Sequence, residues 1–401
     1  MARFRGLETA MAGDFTQVGI GWEVGVPSGW GTYGVNLAVE LARKGFEPAL
    51  FLISSKTNVP QAQLELLRPA LMKQRDWLTA ARGGGLTLDF PMLYSLGDGL
   101  QFDDVLMGTK GAPQAGVPFF ESATIPKANV ESAKAFDVII AGSSWNAEVM
   151  ACHGLTHVRT CLQGVDLALF KPGAKTGRFN GRFAIFSGGK LEYRKGQDLV
   201  VAAFKRFHAR HPDALLVTAW HNPWPKIAAG LSVSTHVSCA PGVKPDGSLD
   251  VPGWLAANGL PEDSFMDVGL LANSATAPLL REVDLAIFPN RCEGGTNLVA
   301  MECMACGVPT VLARNTGHLD LIQPDNCYSL DMQLPIGALT KRPDLEGWGE
   351  STLEELVSKM EQAYTDRADA ARRGAAAAAF MKNWGWPAQV DRLVTVLREF
   401  S

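Results

Sequence analysis

Two carboxylates, Glu293 and Glu302, and three cations, Lys190, Arg194 and Lys195, have the types and spacing most suited to chemistry in this chain. The carboxylates lie in P-N-R-C-E-G-G-T-N-L-V-A-M-E-C-M-A-C-G-V-P, residues 289–309. The apolar run from Val283 to Phe288 before them has the length and flanks of a buried strand. From Thr296 to Cys306 the sequence suits a helix, with Gly307 placed as its terminator and Val308 to Leu312 as the next strand. Glu293 then falls in the loop where the helix begins, and Glu302 falls inside the helix. Free N–H groups at a helix start form an anion site, and carboxylates accept hydrogen bonds from sugar hydroxyls. An anionic ligand carrying several hydroxyls suits such a place. The plain alternative is a solvated loop glutamate beside a surface-facing helix glutamate.

The cations belong to K-L-E-Y-R-K-G, residues 190–196. Before them, Arg182 to Gly189 reads as a strand running into glycines. After them a helix starts near Gln197 and gathers Leu199, Val200, Ala203, Phe204 and Phe207 on one face. Ala214 to Trp220 is the next strand. Lys190, Arg194 and Lys195 therefore sit at the carboxyl edge of a sheet, where α/β folds bind ligands, and three cations there could neutralise a diphosphate. A solvated basic turn is the alternative.

The same alternation runs through the first half: a strand at Gln17–Trp22, a helix at Gly34–Ala42, strands at Pro48–Ile53 and Phe136–Ala141, and a polar helix start at Ser143-Ser144. This predicts α/β architecture with mainly parallel sheets. At 401 residues the chain exceeds one ordinary domain. The Gly-, Pro- and charge-rich stretch from Gly164 to Gly181 is the best boundary. A net charge of −4 with 47% hydrophobic residues describes a globular protein and gives no argument for nucleic acid. No run approaches a membrane span, and the N-terminus lacks the apolar core of a secretory signal, so the expectation is a cytoplasmic enzyme. Seven cysteines, an odd number, suggest reduced thiols. Cys303 and Cys306 lie within a helix without a second C-x-x-C, which favours core packing over zinc; Cys152, His153, His157 and Cys161 have permissive spacing but read as an ordinary loop.

The segment from Glu293 to Thr310 resembles the signature of retaining GT-B glycosyltransferases of family 4, in which two glutamates precede an A-M-A-x-G-x-P run. G-V-D-L-A-L-F-K-P, residues 164–172, resembles that family's interdomain segment, and residues 187–196 resemble its G-R-L-x-x-x-K-G element. The resemblance implies an α/β GT-B fold, two Rossmann-like domains facing a central cleft. An acceptor domain would span residues 1–172 and a nucleotide-sugar domain 178–375, with 376–401 a helix returning to the first domain. It implies that the Glu293 region contacts the transferred sugar, that Glu302 contacts the nucleotide ribose, and that Lys195 and Lys190 bind the pyrophosphate with Arg194 beside them. Gly294, Gly295, Thr296 and Asn297 would offer N–H groups to the donor. Two departures stand out. Eight residues separate the glutamates where the family has seven, so either the loop bulges or Gly294 takes the first slot. Lys190 replaces the usual Arg, exchanging a two-pronged donor for a point charge.

Gly29-Trp30-Gly31-Thr32-Tyr33-Gly34 is a G-x-G-x-x-G, which raises an NAD(P)-dependent oxidoreductase as a rival. Residues 23–29 separate it from the end of its strand, however, and Ser54-Ser55-Lys56 stands where the second strand should close on an acid. The loop is instead similar to the glycine-rich segment of the glycosyltransferases, in which Gly29 and Gly31 would bring N–H groups to the donor. A nucleotide-sugar epimerase on the same architecture is the other catalytic alternative. Val117-Pro118-Phe119-Phe120-Glu121 reads as a strand ending in a carboxylate, making Glu121 a candidate for orienting the acceptor or its proton. Leu64 to Arg82 mixes leucines and Trp77 with Arg68, Lys73, Arg75 and Arg82, as a membrane-surface helix would for a lipid acceptor. The expected activity is metal-independent hexosyl transfer, with retention, from a UDP- or GDP-type donor to a glycan or lipid. No cofactor is expected, no D-x-D motif occurs to carry a divalent ion, and the inner face of the membrane is the expected place if the acceptor is a lipid.

Overall fold

The structure is a computed structural model that describes residues 14–25, 28–52, 59, 61–102 and 106–401. The readings at the N-terminus, at Ile53 and at Ser54-Ser55-Lys56 lie outside the described residues. The first half builds one parallel sheet from β1 (Gln17–Glu23), β2 (Glu47–Leu52), β3 (Met92–Leu96), β4 (Gln114–Pro118), β5 (Val138–Ala141) and β6 (Val158–Thr160), in the order β2-β1-β3-β4-β5-β6. Its connections include α1 (Gly29–Arg43), α2 (Gln61–Arg82), α3 (Lys127–Ala133) and α4 (Ser144–Cys152). Because helices cover both faces, central strands such as β5 are buried at every residue, which is why they read as unbroken apolar runs.

The second half repeats the plan with β7 (Phe183–Lys190), β8 (Ala214–His221), β9 (Phe265–Asp267), β10 (Leu285–Phe288), β11 (Thr310–Ala313) and β12 (Tyr328–Leu330), in the order β12-β11-β10-β7-β8-β9. Helices α5 (Gln197–His208), α6 (Pro225–Ala228), α7 (Val251–Ala257), α8 (Asn273–Leu280) and α9 (Leu298–Ala305) connect them. Strand order reverses between β7 and β10, and ligands of open α/β sheets bind in the crevice beyond such a switch point. After β12 a small antiparallel pair, β13 (Gln333–Pro335) and β14 (Gly349–Ser351), encloses α10 (Ile336–Thr340). The chain ends in α11 (Leu353–Thr365), α12 (Arg367–Met381) and α13 (Trp386–Glu399). Ala375 to Ala379 lie inside α12, as the helix propensity of alanine requires. Trp386, Val390, Leu393, Val394 and Leu397 of α13 pack into the core of the first sheet.

Two local readings are corrected. The Gly29–Gly34 segment is not a loop: it forms the opening turns of α1, whose start is capped by the Ser28 hydroxyl accepting the Gly31 N–H at 3.1 Å. The Leu64–Arg82 segment is helical straight through Pro69, but Leu67, Ala70 and Ala81 are buried and Trp77 packs against Phe51 and Phe90. Much of the face read as membrane-binding is thus covered by the protein's own core, leaving Leu66 and Met72 outward. Among the described residues, no helix is long and apolar enough to cross a membrane.

Candidate active site

Lys190 is the last residue of β7, and a single tight turn, Tyr193–Lys195, carries the other two cations to the start of α5. The turn closes at Gly196, whose φ is +70° and where a Cβ would collide with the carbonyl oxygen of Pro289. Only glycine allows both this left-handed conformation and so close an approach to the loop after β10. The two segments flanking the switch point are thereby pressed together.

Each cation already has carboxylate partners. Arg194 Nη2 donates to Glu192 Oε1 at 2.7 Å and lies 3.5 Å from Glu121 Oε1, while Nη1 donates to Glu293 Oε2 at 3.0 Å and to the Cys292 carbonyl at 2.9 Å. Lys195 Nζ donates to Glu293 Oε1 at 2.6 Å. Lys190 is held more loosely, its Nζ 3.7 Å from Glu192 Oε1 and 5.7 Å from the Trp224 ring centre. Lys190, Arg194 and Lys195 thus face Glu121, Glu192 and Glu293, and the group is formally neutral.

Glu293 is almost fully buried, and its carboxylate also accepts from the Asn290 amide. Burial alone would raise its pKa, but Lys195 and then Arg194 outweigh that and hold it at about 2. Its N–H donates to Thr316 Oγ1 at 2.8 Å. The next residue, Gly294, passes so close to the first domain that a Cβ would come 2.5 Å from the Phe120 carbonyl oxygen, and its own carbonyl accepts from Ser143 Oγ at 2.7 Å. Gly295 lies beside Phe119 and Gln163. Thr296 is buried, and Asn297, at φ +64°, turns the chain into α9 and caps it by accepting the Ala300 N–H. The Asn297 amide meets His318 Nε2 at 3.0 Å, and burial lowers the His318 pKa to about 4, so this imidazole is neutral. Among the described residues, the N–H groups from Gly294 to Val299 have no hydrogen-bond partner. They are the unmet donors of the α9 start.

Glu302 stands apart from the cations, part-buried on α9; burial, and then Asp166 of the interdomain segment, push its carboxyl up to about 8. Glu121 follows β4 on the first domain, where burial raises its pKa against the opposing pull of Arg194. Its carbonyl accepts from Trp348 Nε1 at 2.5 Å, and Cys292 Sγ lies 3.4 Å away. Gly29 is exposed and Gly31 buried in the first turn of α1, and no hydrogen bond among the described residues joins either to the cation cluster. A cavity of about 630 Å³ lies elsewhere, at the opposite edge of the second sheet beside Asp284, Pro309 and Arg367.

Sequence reasoning missed Glu192, Arg291, Asp198, Thr316, His318 and Glu350. Glu192 was legible in principle, since it stands between Lys190 and Arg194 in the same short motif. The others come from separate segments whose meeting no spacing rule announces.

A family model described as "Family 4 Glycosyltransferase in conflict systems" matches residues 273–393. The chain is 26% identical over 330 residues to D-inositol 3-phosphate glycosyltransferase 1 of Catenulispora acidiphila, covering 79% of this chain and 68% of that protein. It is 26% identical over 206 residues to a GDP-mannose-dependent alpha-(1-6)-phosphatidylinositol dimannoside mannosyltransferase of Mycobacterium tuberculosis, covering 50% of this chain and 46% of that one. Among solved structures, sucrose-phosphate synthase from Thermosynechococcus elongatus shares the fold with a TM-score of 0.65 at 16% identity, covering 96% and 99% of the two chains. HepE from Anabaena, in complex with UDP-glucose, does so with a TM-score of 0.62 at 14% identity, covering 94% and 98%. The paired sheets and these solved structures show a GT-B fold, and the family model over residues 273–393 and the curated relatives make the chain similar to family 4 glycosyltransferases.

Proposed function

We propose that the chain transfers a hexosyl group from a UDP- or GDP-type sugar to a hydroxyl of a glycan or lipid, with retention of configuration and without a metal ion. The observation that carries this reading is the meeting of Lys190, Lys195, Glu293 and the unmet N–H groups of the α9 start at the switch point of the second sheet. In this reading the incoming diphosphate exchanges places with carboxylates. Lys195 and Lys190 turn from Glu293 and Glu192 to the pyrophosphate, and the N–H groups from Gly294 to Asn297 take further phosphate oxygens. Glu293, released from Lys195, is free to accept a hydroxyl of the transferred sugar. Negative charge develops on the departing diphosphate, so cations held there stabilise the transition state more than the ground state. Glu302, on the far side of α9, takes the ribose, and Glu121 orients the acceptor or carries its proton. UDP bound to HepE, GDP-mannose in the mycobacterial enzyme's name and inositol-containing acceptors in both curated relatives' names support the substrate classes. The cytoplasmic side, at the membrane where the acceptor is a lipid, is the proposed place of action.

The test is a panel of UDP- and GDP-sugars, each with and without glycan and lipid fractions, read as nucleoside diphosphate release and by NMR of the product's anomeric centre. Acceptor-dependent release from one donor with retained configuration is expected. Release from none of them, by protein that binds no nucleoside diphosphate, would overturn the reading.

A further inference from the structure

Arg291, two residues before Glu293, is the largest charged side chain that is fully buried among the described residues, its side chain and that of its partner Asp198 both 0% exposed. Its fork is fully matched. Nη1 and Nη2 donate to Asp198 Oδ1 and Oδ2 at 2.8 and 2.6 Å, Nε donates to Glu350 Oε2 at 2.7 Å, and Nη1 also reaches the Tyr193 carbonyl at 2.6 Å. The guanidinium carbon lies 3.9 Å from the Tyr193 ring centre, and the Arg291 backbone N–H donates to the Arg194 carbonyl at 2.8 Å. Such a group is costly to bury, and an apolar side chain of similar volume would often serve stability as well. What the fork joins gives it another use. Asp198 is in the first turn of α5, Tyr193 and Arg194 belong to the cation turn, Glu350 is in β14, and Arg291 itself is in the loop that carries Glu293. Glu350 is tied in turn to His236 at 3.2 Å.

We propose that Arg291 is a positioning residue for sugar transfer, locking the Tyr193–Lys195 turn to the 289–297 loop so that Arg194, Lys195 and Glu293 meet the donor as one rigid unit. The proposal rests on the reading of this cluster as the donor site. The cations sit on a three-residue turn of which no residue is fully buried, so their aim depends on what grips the backbone, and Arg291 grips two consecutive carbonyls. Lysine keeps the charge but cannot reproduce a planar fork engaged with two carboxylates and a carbonyl.

The test compares wild type with Arg291→Lys and Lys195→Ala for donor KM, for kcat per folded molecule and for thermal unfolding. For Arg291→Lys, kcat should fall by roughly 10–100-fold with donor KM changed by less than about threefold, as expected when catalytic groups shift by about an ångström. A role in stability alone would lower the melting temperature and leave kcat per folded molecule at the wild-type value; that result overturns the proposal. If Arg291→Lys does not fold, Glu350→Gln removes the part-buried charge that faces Arg291 Nε and Nη2 and His236, and leaves the Asp198 pair in place. It should lower kcat by about fivefold with KM unchanged, and a wild-type kcat in that folded variant also overturns the proposal. An unimpaired Lys195→Ala enzyme would overturn the donor-site reading itself, whereas an impaired Lys195→Ala beside an unimpaired Arg291→Lys would overturn the positioning role alone.

Discussion

Lys195 and Glu293 are the pair on which the proposed chemistry turns, because the diphosphate must take the ammonium from the carboxylate that holds it at 2.6 Å. Lys195→Ala should lower turnover by roughly 10²–10³-fold if the cation acts on the leaving group. A fall of less than about threefold would be under 1 kcal/mol of barrier and would place this charge outside the reaction. Lys190, looser and a third exposed, should tolerate Lys190→Arg with little change, since the fork restores two-pronged phosphate contact. Glu302 gives a prediction that needs no substrate. Its folded-state pKa, raised to about 8, lies above its unfolded value near 4.5, so the folded state binds a proton that the unfolded chain has released over that range. Its contribution to stability is present in full below pH 4.5 and is lost as pH rises toward 8. Glu302→Gln, which carries no charge to bury, should therefore gain stability relative to wild type between pH 5 and pH 8, and the gap should level off above that. Urea unfolding of both proteins at pH 5, 7 and 9 measures it; a pH-independent gap would mean that Glu302 is not desolvated.

At the scale of elements, the turn after β7 depends on Gly196. Gly196→Ala forces a side chain into a φ of +70° and against the Pro289 carbonyl, so it should cost at least about 1 kcal/mol of stability. Activity should fall further than stability, since the cation turn and the Glu293 loop are the parts driven apart; equal losses in unfolding midpoint and kcat would count against that coupling. The elements around this glycine were legible in the sequence. The strand at Val283–Phe288 and the helix from Gln197 were marked by an unbroken apolar run and a one-sided apolar stripe, and both are present as β10 and α5. Residues 29–34 misled because repeated glycines usually punctuate helices, whereas here the Ser28 cap and the buried run behind it outweigh that local cost. Pro69 likewise failed to break α2, whose buried face supplies the stability that propensity lacks. The site was half legible. Motif and spacing named the cations and Glu293, but that Glu121, Glu192 and Glu293 converge on Arg194 arises from two domains meeting, and periodicity within one segment carries no information about that.

Over the whole molecule, the two halves are joined along the cleft as well as by the chain. Ser143 Oγ donates to the Gly294 carbonyl, Ser144 N–H donates to Asp320 Oδ2 at 2.8 Å, Ala123 N–H donates to the Glu346 carbonyl at 3.0 Å, and α13 returns into the first core beside the outgoing segment at Val165. This arrangement brings a formally neutral ion cluster and the unmet N–H groups of α9 to one place, so under the proposed reading a bound diphosphate is compensated as its phosphates displace carboxylates from Lys190 and Lys195. A divalent ion would offer another route, with stronger local charge. The chain has no D-x-D motif to hold one beside a sugar diphosphate, and among the described residues no group of three or more His, Cys, Asp or Glu side chains is placed to bind a metal. The expected outcome is that turnover with the proper donor persists in several millimolar EDTA, and that added magnesium or manganese changes the rate by less than about twofold, under 0.5 kcal/mol of barrier. Raising the salt concentration should weaken the donor's hold only modestly, because buried or partly buried charges such as Lys195 are screened less than exposed ones. Loss of activity in chelator with full recovery on adding metal would show that the pyrophosphate is neutralised by an ion that the donor brings with it, and that the protein cations serve to hold Glu293 instead.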